Sequence, residues 1–262
     1  MKHKNFGALP TREANSYGDR TFVSMMYAKV ISVQLINYLG YHVLFQDVDV
    51  IWYKHPLMSG VFTSPSSPLS KYDMLFQDDG AHSLRYIPYA ANTGFYYVRH
   101  SDRTRYFFTQ FLYNGSLIYR TSSHQAALIA LLAEHASLYG LRVKVLDGLE
   151  FPGGFHYHRK KDFMKSIVKK EVEPYVFHMS WTKNKDDKLL YMKQMGMWYT
   201  NEKCVDKESK QIHVDDSDVK TPPLVSACCA AEPLLSCHYR DKPSAIPCTD
   251  SPPIDKGRPS FW

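Results

Sequence analysis

Tyr41-His42-Val43-Leu44-Phe45-Gln46-Asp47-Val48-Asp49-Val50-Ile51-Trp52 is the stretch from which the fold can be read outward. Tyr41 to Phe45 reads as a short buried strand that delivers Asp47 and Asp49. Residues two apart on an extended backbone point the same way, which aims both carboxylates at one place. Val48, Val50 and Ile51 are expected to hold the pair in apolar surroundings. Two such carboxylates repel unless something positive lies between them, and oxygen ligands suit Mg²⁺ or Mn²⁺. An ion held this way commonly carries a substrate diphosphate. A lone Asp-x-Asp also ends many strands in a plain turn. Here the flanking runs Val43-Leu44-Phe45 and Val50-Ile51-Trp52 speak against a solvated turn, because buried charge is costly without a partner.

Upstream, residues 1–19 are polar and read as loop. Arg20 to Leu39 carries Phe22, Met25, Met26, Val30, Val33, Leu35, Ile36 and Leu39 at helical spacing, and Gly40 stands where a glycine stops a helix. Downstream, Thr63 to Ser70 is a Ser/Pro-rich loop, and Tyr72 to Phe76 a second buried strand leading to Asp78-Asp79-Gly80. Asn92 to Arg99 is a third strand, followed by helices over Asp102–Leu117 and Ser122–Glu134. Arg142–Leu146 alternates as a strand, Phe151–Phe155 is a turn, Tyr175–His178 a last short strand and Lys185–Met195 a helix. Strands alternating with helices predict an α/β fold. Phe95-Tyr96-Tyr97 and Tyr106-Phe107-Phe108 read as core.

The chain has 262 residues, 44% of them hydrophobic, enough for one domain of α/β size. Its net charge of +6 is spread along the sequence rather than gathered into a stripe, which speaks against a nucleic-acid partner. No apolar run reaches the 18 or so residues a membrane span needs, and Met1-Lys2-His3-Lys4-Asn5-Phe6 is not a signal peptide. After Asn201 the composition turns to Pro, Ser, Lys and Asp, so 201–262 is expected to be a linker and an irregular tail. All five cysteines, Cys204, Cys228, Cys229, Cys237 and Cys248, fall there. A Cys237–Cys248 disulfide in a secretory compartment and simple reduced thiols both fit that pattern.

The Gly40–Leu57 stretch resembles the core of the nucleotide-diphospho-sugar transferase domain of plant arabinosyl- and xylosyltransferases and many algal proteins. Further matches follow in the same order: Phe76-Gln77-Asp78-Asp79-Gly80, Asn92 to Arg99, His124-Gln125, and Phe177-His178-Met179-Ser180-Trp181. The resemblance spans about residues 20–200 and implies a GT-A-like mixed sheet flanked by helices. Members usually carry a membrane anchor and nucleotide-binding strands ahead of this segment, so an incomplete N-terminus is expected. The implied activity is metal-dependent transfer of a sugar, with retention, from a nucleoside-diphosphate sugar to a glycan or glycoprotein in the Golgi lumen or secretory pathway.

The resemblance also distributes roles. His178 would join Asp47 and Asp49 on the metal; read by itself, it is a hydrogen-bonded core histidine. Trp181 and Lys183 would lie beside the diphosphate, though a packed Trp and a solvated Lys are equally ordinary. Asp79, an acid before a glycine, would bind the donor sugar together with the Asn92 amide, and Gly94 would allow close approach. His124-Gln125 would lie near the reacting carbon, where the Gln125 carbonyl could stabilise an oxocarbenium-like centre. The family more often has Asp at the position of His124, and this departure puts a carboxylate nucleophile at the site in doubt.

Two other functions share parts of this pattern. A haloacid-dehalogenase-type phosphatase also places Asp-x-Asp after an apolar strand, but the Val50-Ile51-Trp52 continuation and the lack of its downstream motifs disfavour it. A binding protein that keeps the fold without turnover is the remaining alternative.

Overall fold

The computed structural model describes residues 2–3, 7–8, 14–15, 17–182 and 185–200. Lys183 and the five cysteines lie outside the described residues. The chain divides into two compact units. The first comprises residues 1–160 and 173–184; the second, within the described residues, comprises 161–172 and 185–200. Within the stretch expected as loop, β1 (Lys2–His3) and β2 (Gly7–Ala8) pair as a short antiparallel ladder.

The expected first helix forms as α1 (Arg20–Tyr38). The Asp19 carboxylate caps it, accepting from Phe22 N at 2.7 Å, and Val23, Met26, Val30 and Val33 form its buried stripe. Gly40, at φ +97°, ends it. Then come β3 (Val43–Gln46), β4 (Val50–Trp52), β5 (Met74–Asp78) and the long β6 (Ala91–Val98). The helix expected over Asp102–Leu117 is two helices, α2 (Asp102–Tyr113) and α3 (Ser116–Thr121), because Asn114-Gly115 interrupts the helical run. The helix α4 (His124–Leu138) is mainly apolar, and its Ala126–Ile129 and Leu131–Leu132 stretches are buried. After β7 (Val143–Val145), α5 (Gly154–Arg159) begins inside the segment read as a turn, and β8 (Val176–His178) completes the first unit. The second unit contains α6 (Lys161–Val168), which carried no sequence expectation, and α7 (Lys185–Gln194).

The main sheet is mixed, in the order β3-β6-β5-β7, with only the β5–β7 pair parallel. This is the sheet and helix arrangement expected of a GT-A-like fold. Tyr96, Val98, Met74 and Phe76 pack on one face against α1, α2 and α4. Phe95, Tyr97 and Leu75 pack on the other against Val50, Phe62, Phe151 and Val176. The aromatic runs are core as expected, except that Tyr106 is exposed.

Two features position the site. A second, two-stranded antiparallel sheet pairs β4 with β8, placing Val50 opposite His178 and Trp52 opposite Val176. In the main sheet the β5–β6 register slips: Phe76 faces Tyr96, yet Gln77 faces Asn92. The residues between, Thr93 to Phe95, bulge out of that ladder.

Candidate metal centre

Asp47-Val48-Asp49 is not extended, as the alternation required, but a turn between β3 and β4. Val48 is fully exposed and grips nothing; a turn aims its middle residue outward. The two carboxylates nevertheless converge. The backbone N–H of Asp47 donates to Gly94 O at 2.7 Å, and the Asp49 carbonyl accepts from Met179 N at 3.1 Å. One end of the turn is thus tied to β6 and the other to the residue after β8.

The β4–β8 ladder brings in the third group. Asp47, Asp49 and His178 each offer a ligand atom, and these atoms lie within 4.8 Å of one another. His178 Nε2 is 3.4 Å from Asp49 Oδ2. Asp49 and His178 are buried, while Asp47 is partly open. Gly94 forms the floor: a Cβ there would come 2.2 Å from His178 Cε1 and 3.0 Å from Asp47 Oδ2. A cradle that admits no side chain, lined by two carboxylates and an imidazole, suits a divalent cation. Lys29, on the inward face of α1, reaches Asp47 Oδ1 at 2.5 Å, so the carboxylate oxygen near Gly94 is the one turned to the cradle.

The bulge organises the neighbouring polar groups. Having lost its ladder partner on β5, Thr93 donates its backbone N–H to Gln125 Oε1 at 3.2 Å, and its hydroxyl donates to the same oxygen. The Gln125 carbonyl, expected to face the reacting carbon, is therefore engaged with β6. Gly94 N donates to Asn92 Oδ1 at 2.7 Å, and Asn92 Nδ2 donates to Asp79 Oδ1 at 2.7 Å. Asp79, just past the end of β5, and Asn92 on β6 are thus a buried, hydrogen-bonded pair beside Gly94. His124 is buried at the start of α4. Its Nε2 has no hydrogen-bond partner among the described residues, and burial, aided by the Lys29 charge, pushes its pKa down to about 3. It is a neutral imidazole, not an acid. Trp181 is partly exposed, packs edge-on against Phe155 at 5.6 Å and has φ +62°, a conformation rare for a bulky residue.

The model of nucleotide-diphospho-sugar transferases matches residues 1–192. The chain belongs to that family. It is 23% identical over 238 residues to the UDP-galactose:fucoside alpha-3-galactosyltransferase of Dictyostelium discoideum, covering 80% of this chain and 33% of that protein. It is 26% identical over 200 residues to the beta-arabinofuranosyltransferase RAY1 of Arabidopsis thaliana, covering 70% of this chain and 35% of that protein. The chain therefore spans about a third of the length of these relatives. No solved structure matches it significantly. No helix among the described residues is long and apolar enough to cross a membrane.

Two further residues of this transferase domain, Lys29 and Gln77, join the site without belonging to the motif residues singled out by sequence. Lys29 is a lone cation between Met26 and Val33 on an apolar helical stripe, a signal that was there to be found. Gln77 lies inside the quoted Phe76–Gly80 motif but is completely buried, and nothing in the sequence indicates what it touches.

Proposed function

We propose that this chain is the donor-binding and catalytic part of a Mn²⁺-dependent glycosyltransferase. It would move a sugar from a nucleoside diphosphate to a glycan or glycoprotein acceptor, with retention at the anomeric carbon. The observation that carries this reading is the convergence of Asp47, Asp49 and His178 on the Gly94 cradle. The galactosyltransferase relative's name supports a UDP-sugar donor and an α product, which is retention for an α-linked donor. The Golgi lumen or secretory pathway rests on the family resemblance.

Asp47, Asp49 and His178 would hold the ion, which when bound supplies Lewis-acid stabilisation of the leaving diphosphate. The Asp79 carboxylate, oriented by Asn92, would accept hydrogen bonds from donor-sugar hydroxyls and fix the sugar in the site. Gln125 holds the β6 bulge in place, and through it the Gly94 floor. Trp181 would shield the diphosphate from water, and Lys183 would offset its charge. His124 takes no proton at neutral pH and would present an uncharged edge to the donor, and as a histidine it would offer no carboxylate for a covalent intermediate at that position.

Nucleotide-sugar binding without turnover is the second reading, favoured by the engagement of the Gln125 carbonyl with Thr93. Calorimetry with UDP, with and without Mn²⁺, tests the shared part. Ion-dependent binding is expected in the wild type and lost in Asp47→Ala and Asp49→Ala. Equal affinity in all three proteins would sink the metal reading. Release of free sugar or of glycoside from UDP-sugars then separates catalysis from binding.

A further inference from the structure

His178 has two ring nitrogens, and only one of them can face the Asp47–Asp49 site. Nε2 is that nitrogen, 3.4 Å from Asp49 Oδ2; Nδ1 points the other way, 2.9 Å from Gln77 Oε1. A neutral imidazole carries its proton on one nitrogen and its lone pair on the other. Which nitrogen has the lone pair therefore decides whether His178 can be a ligand at all.

Gln77 settles this through its own surroundings. It is completely buried, opposite Asn92 at the β-bulge. Its amide nitrogen donates to Phe151 O at 3.0 Å and to Pro152 O at 2.8 Å. An amide nitrogen has two hydrogens, and both are taken by these carbonyls. Turning the amide over would set its oxygen against two carbonyl oxygens and its N–H₂ against the imidazole, so the orientation is fixed by chemistry. Oε1 accepts and cannot donate. The group facing it, Nδ1, must then carry the proton. The backbone adds to the clamp, since His178 N donates to Pro152 O at 3.1 Å and Gly153 bridges to His178.

We infer that Gln77 is a positioning residue that holds His178 in its Nδ1–H tautomer, leaving the Nε2 lone pair directed at the Asp47–Asp49 site. The inference deepens the metal reading proposed above and rests on it for the identity of the ligand taken there. Partners of this kind on the far nitrogen of a ligating histidine typically change metal affinity by about 10–100-fold.

The test has two readouts. Long-range ¹H–¹⁵N spectra of the metal-free protein at about pH 8, above the ordinary imidazole range, report which nitrogen is protonated. The His178→Gln spectrum picks the signal out of twelve histidines. Titration of free Mn²⁺ by electron paramagnetic resonance gives the affinity. The wild type is expected to show Nδ1–H. In Gln77→Met, which fills the space but accepts nothing, the proton should move wholly or partly to Nε2 and Mn²⁺ affinity should fall at least about tenfold. In Gln77→Glu an oxygen still faces Nδ1, so the tautomer and most of the affinity should return although ties to Phe151 and Pro152 are lost. A purely structural Gln77 would give no such rescue. Nε2–H in the wild type overturns the inference, as does an unchanged tautomer and affinity in Gln77→Met. If the Met variant does not fold, the wild-type tautomer and the Glu variant decide. A wild type with Nδ1–H that binds no Mn²⁺ upholds the role of Gln77 and removes the metal reading instead.

Discussion

Val50 and His178 face each other across the antiparallel β4–β8 ladder. This pairing, between strands far apart in the chain, makes a site of what would otherwise be an acidic turn. The same ladder places Asp49 O within hydrogen-bonding distance of Met179 N, so the turn and the histidine strand are fixed together.

Gly94 is the position where a single methyl group should matter most. The Cβ of Gly94→Ala would lie 2.2 Å from His178 Cε1, far inside contact distance, and 3.0 Å from Asp47 Oδ2. Either the imidazole or β6 must move. We expect Mn²⁺ affinity to fall at least about tenfold, the effect typical of displacing a ligand or its support. Ion titration checks this, with circular dichroism confirming the fold; an unchanged affinity would show that Gly94 is not the floor of the site.

Asp79→Asn should separate sugar recognition from diphosphate recognition. Asp79 accepts from Asn92, and the variant loses the charge-assisted bonds a carboxylate offers to hydroxyls. Affinity for a UDP-sugar is expected to drop by roughly 1.5–3 kcal/mol, while UDP itself binds as before. Calorimetry with the two ligands makes the comparison, and an equal loss for both would place Asp79 on the nucleotide side.

Lys29→Met removes the cation that pairs with Asp47. With one positive charge fewer beside the site, Mn²⁺ should bind a few-fold more tightly, because at this partly exposed position the pair itself contributes only about 1 kcal/mol. Weaker binding in this variant would mean instead that Lys29 is needed to aim the carboxylate.

His124 gives the acid dependence of stability a definite sign. Its pKa is about 3 in the folded chain and near ~6.5 in the unfolded one. Between those values the unfolded chain holds a proton that the folded chain lacks, so stability is full above about pH 6.5 and falls as pH drops toward about 3. This one group contributes a slope of up to ~1.4 kcal/mol per pH unit in that window. Urea melts of the wild type and of His124→Gln at several pH values test it. The variant should lose stability more gradually below about pH 6, and parallel curves would refute the assignment.

Much of this protein was legible from local pattern. The stripe of α1, the glycine that ends it and the apolar cores of β5 and β6 follow from spacing that neighbouring residues impose on one another. The α/β class and the carboxylate pair came with them. Of the strand expected to be buried over Tyr41–Phe45, only Val43 is buried and Tyr41 is exposed. The order of the motifs from Asp47 to Trp181 came from the family resemblance. Asp47 and Asp49 were found for a partly mistaken reason: strand alternation was expected to aim them together, and a turn does so with Val48 in solvent.

The tertiary structure decided the rest. That His178 meets the carboxylates depends on β4 choosing β8 as its partner, and no local preference of either three-residue strand encodes that choice. The bulge at Thr93–Phe95 exists only in the pairing of β6 with β5, and it is what turns Gln125 and Asn92 toward the backbone and lays Gly94 beneath the site. The amide of Gln77 has a direction only because two carbonyls from the Phe151–Pro152 segment close on it. Sequence spacing fixes what a residue's neighbours along the chain can be. Hydrogen bonds between distant segments form only when the whole sheet has chosen its register, and the site is built from those.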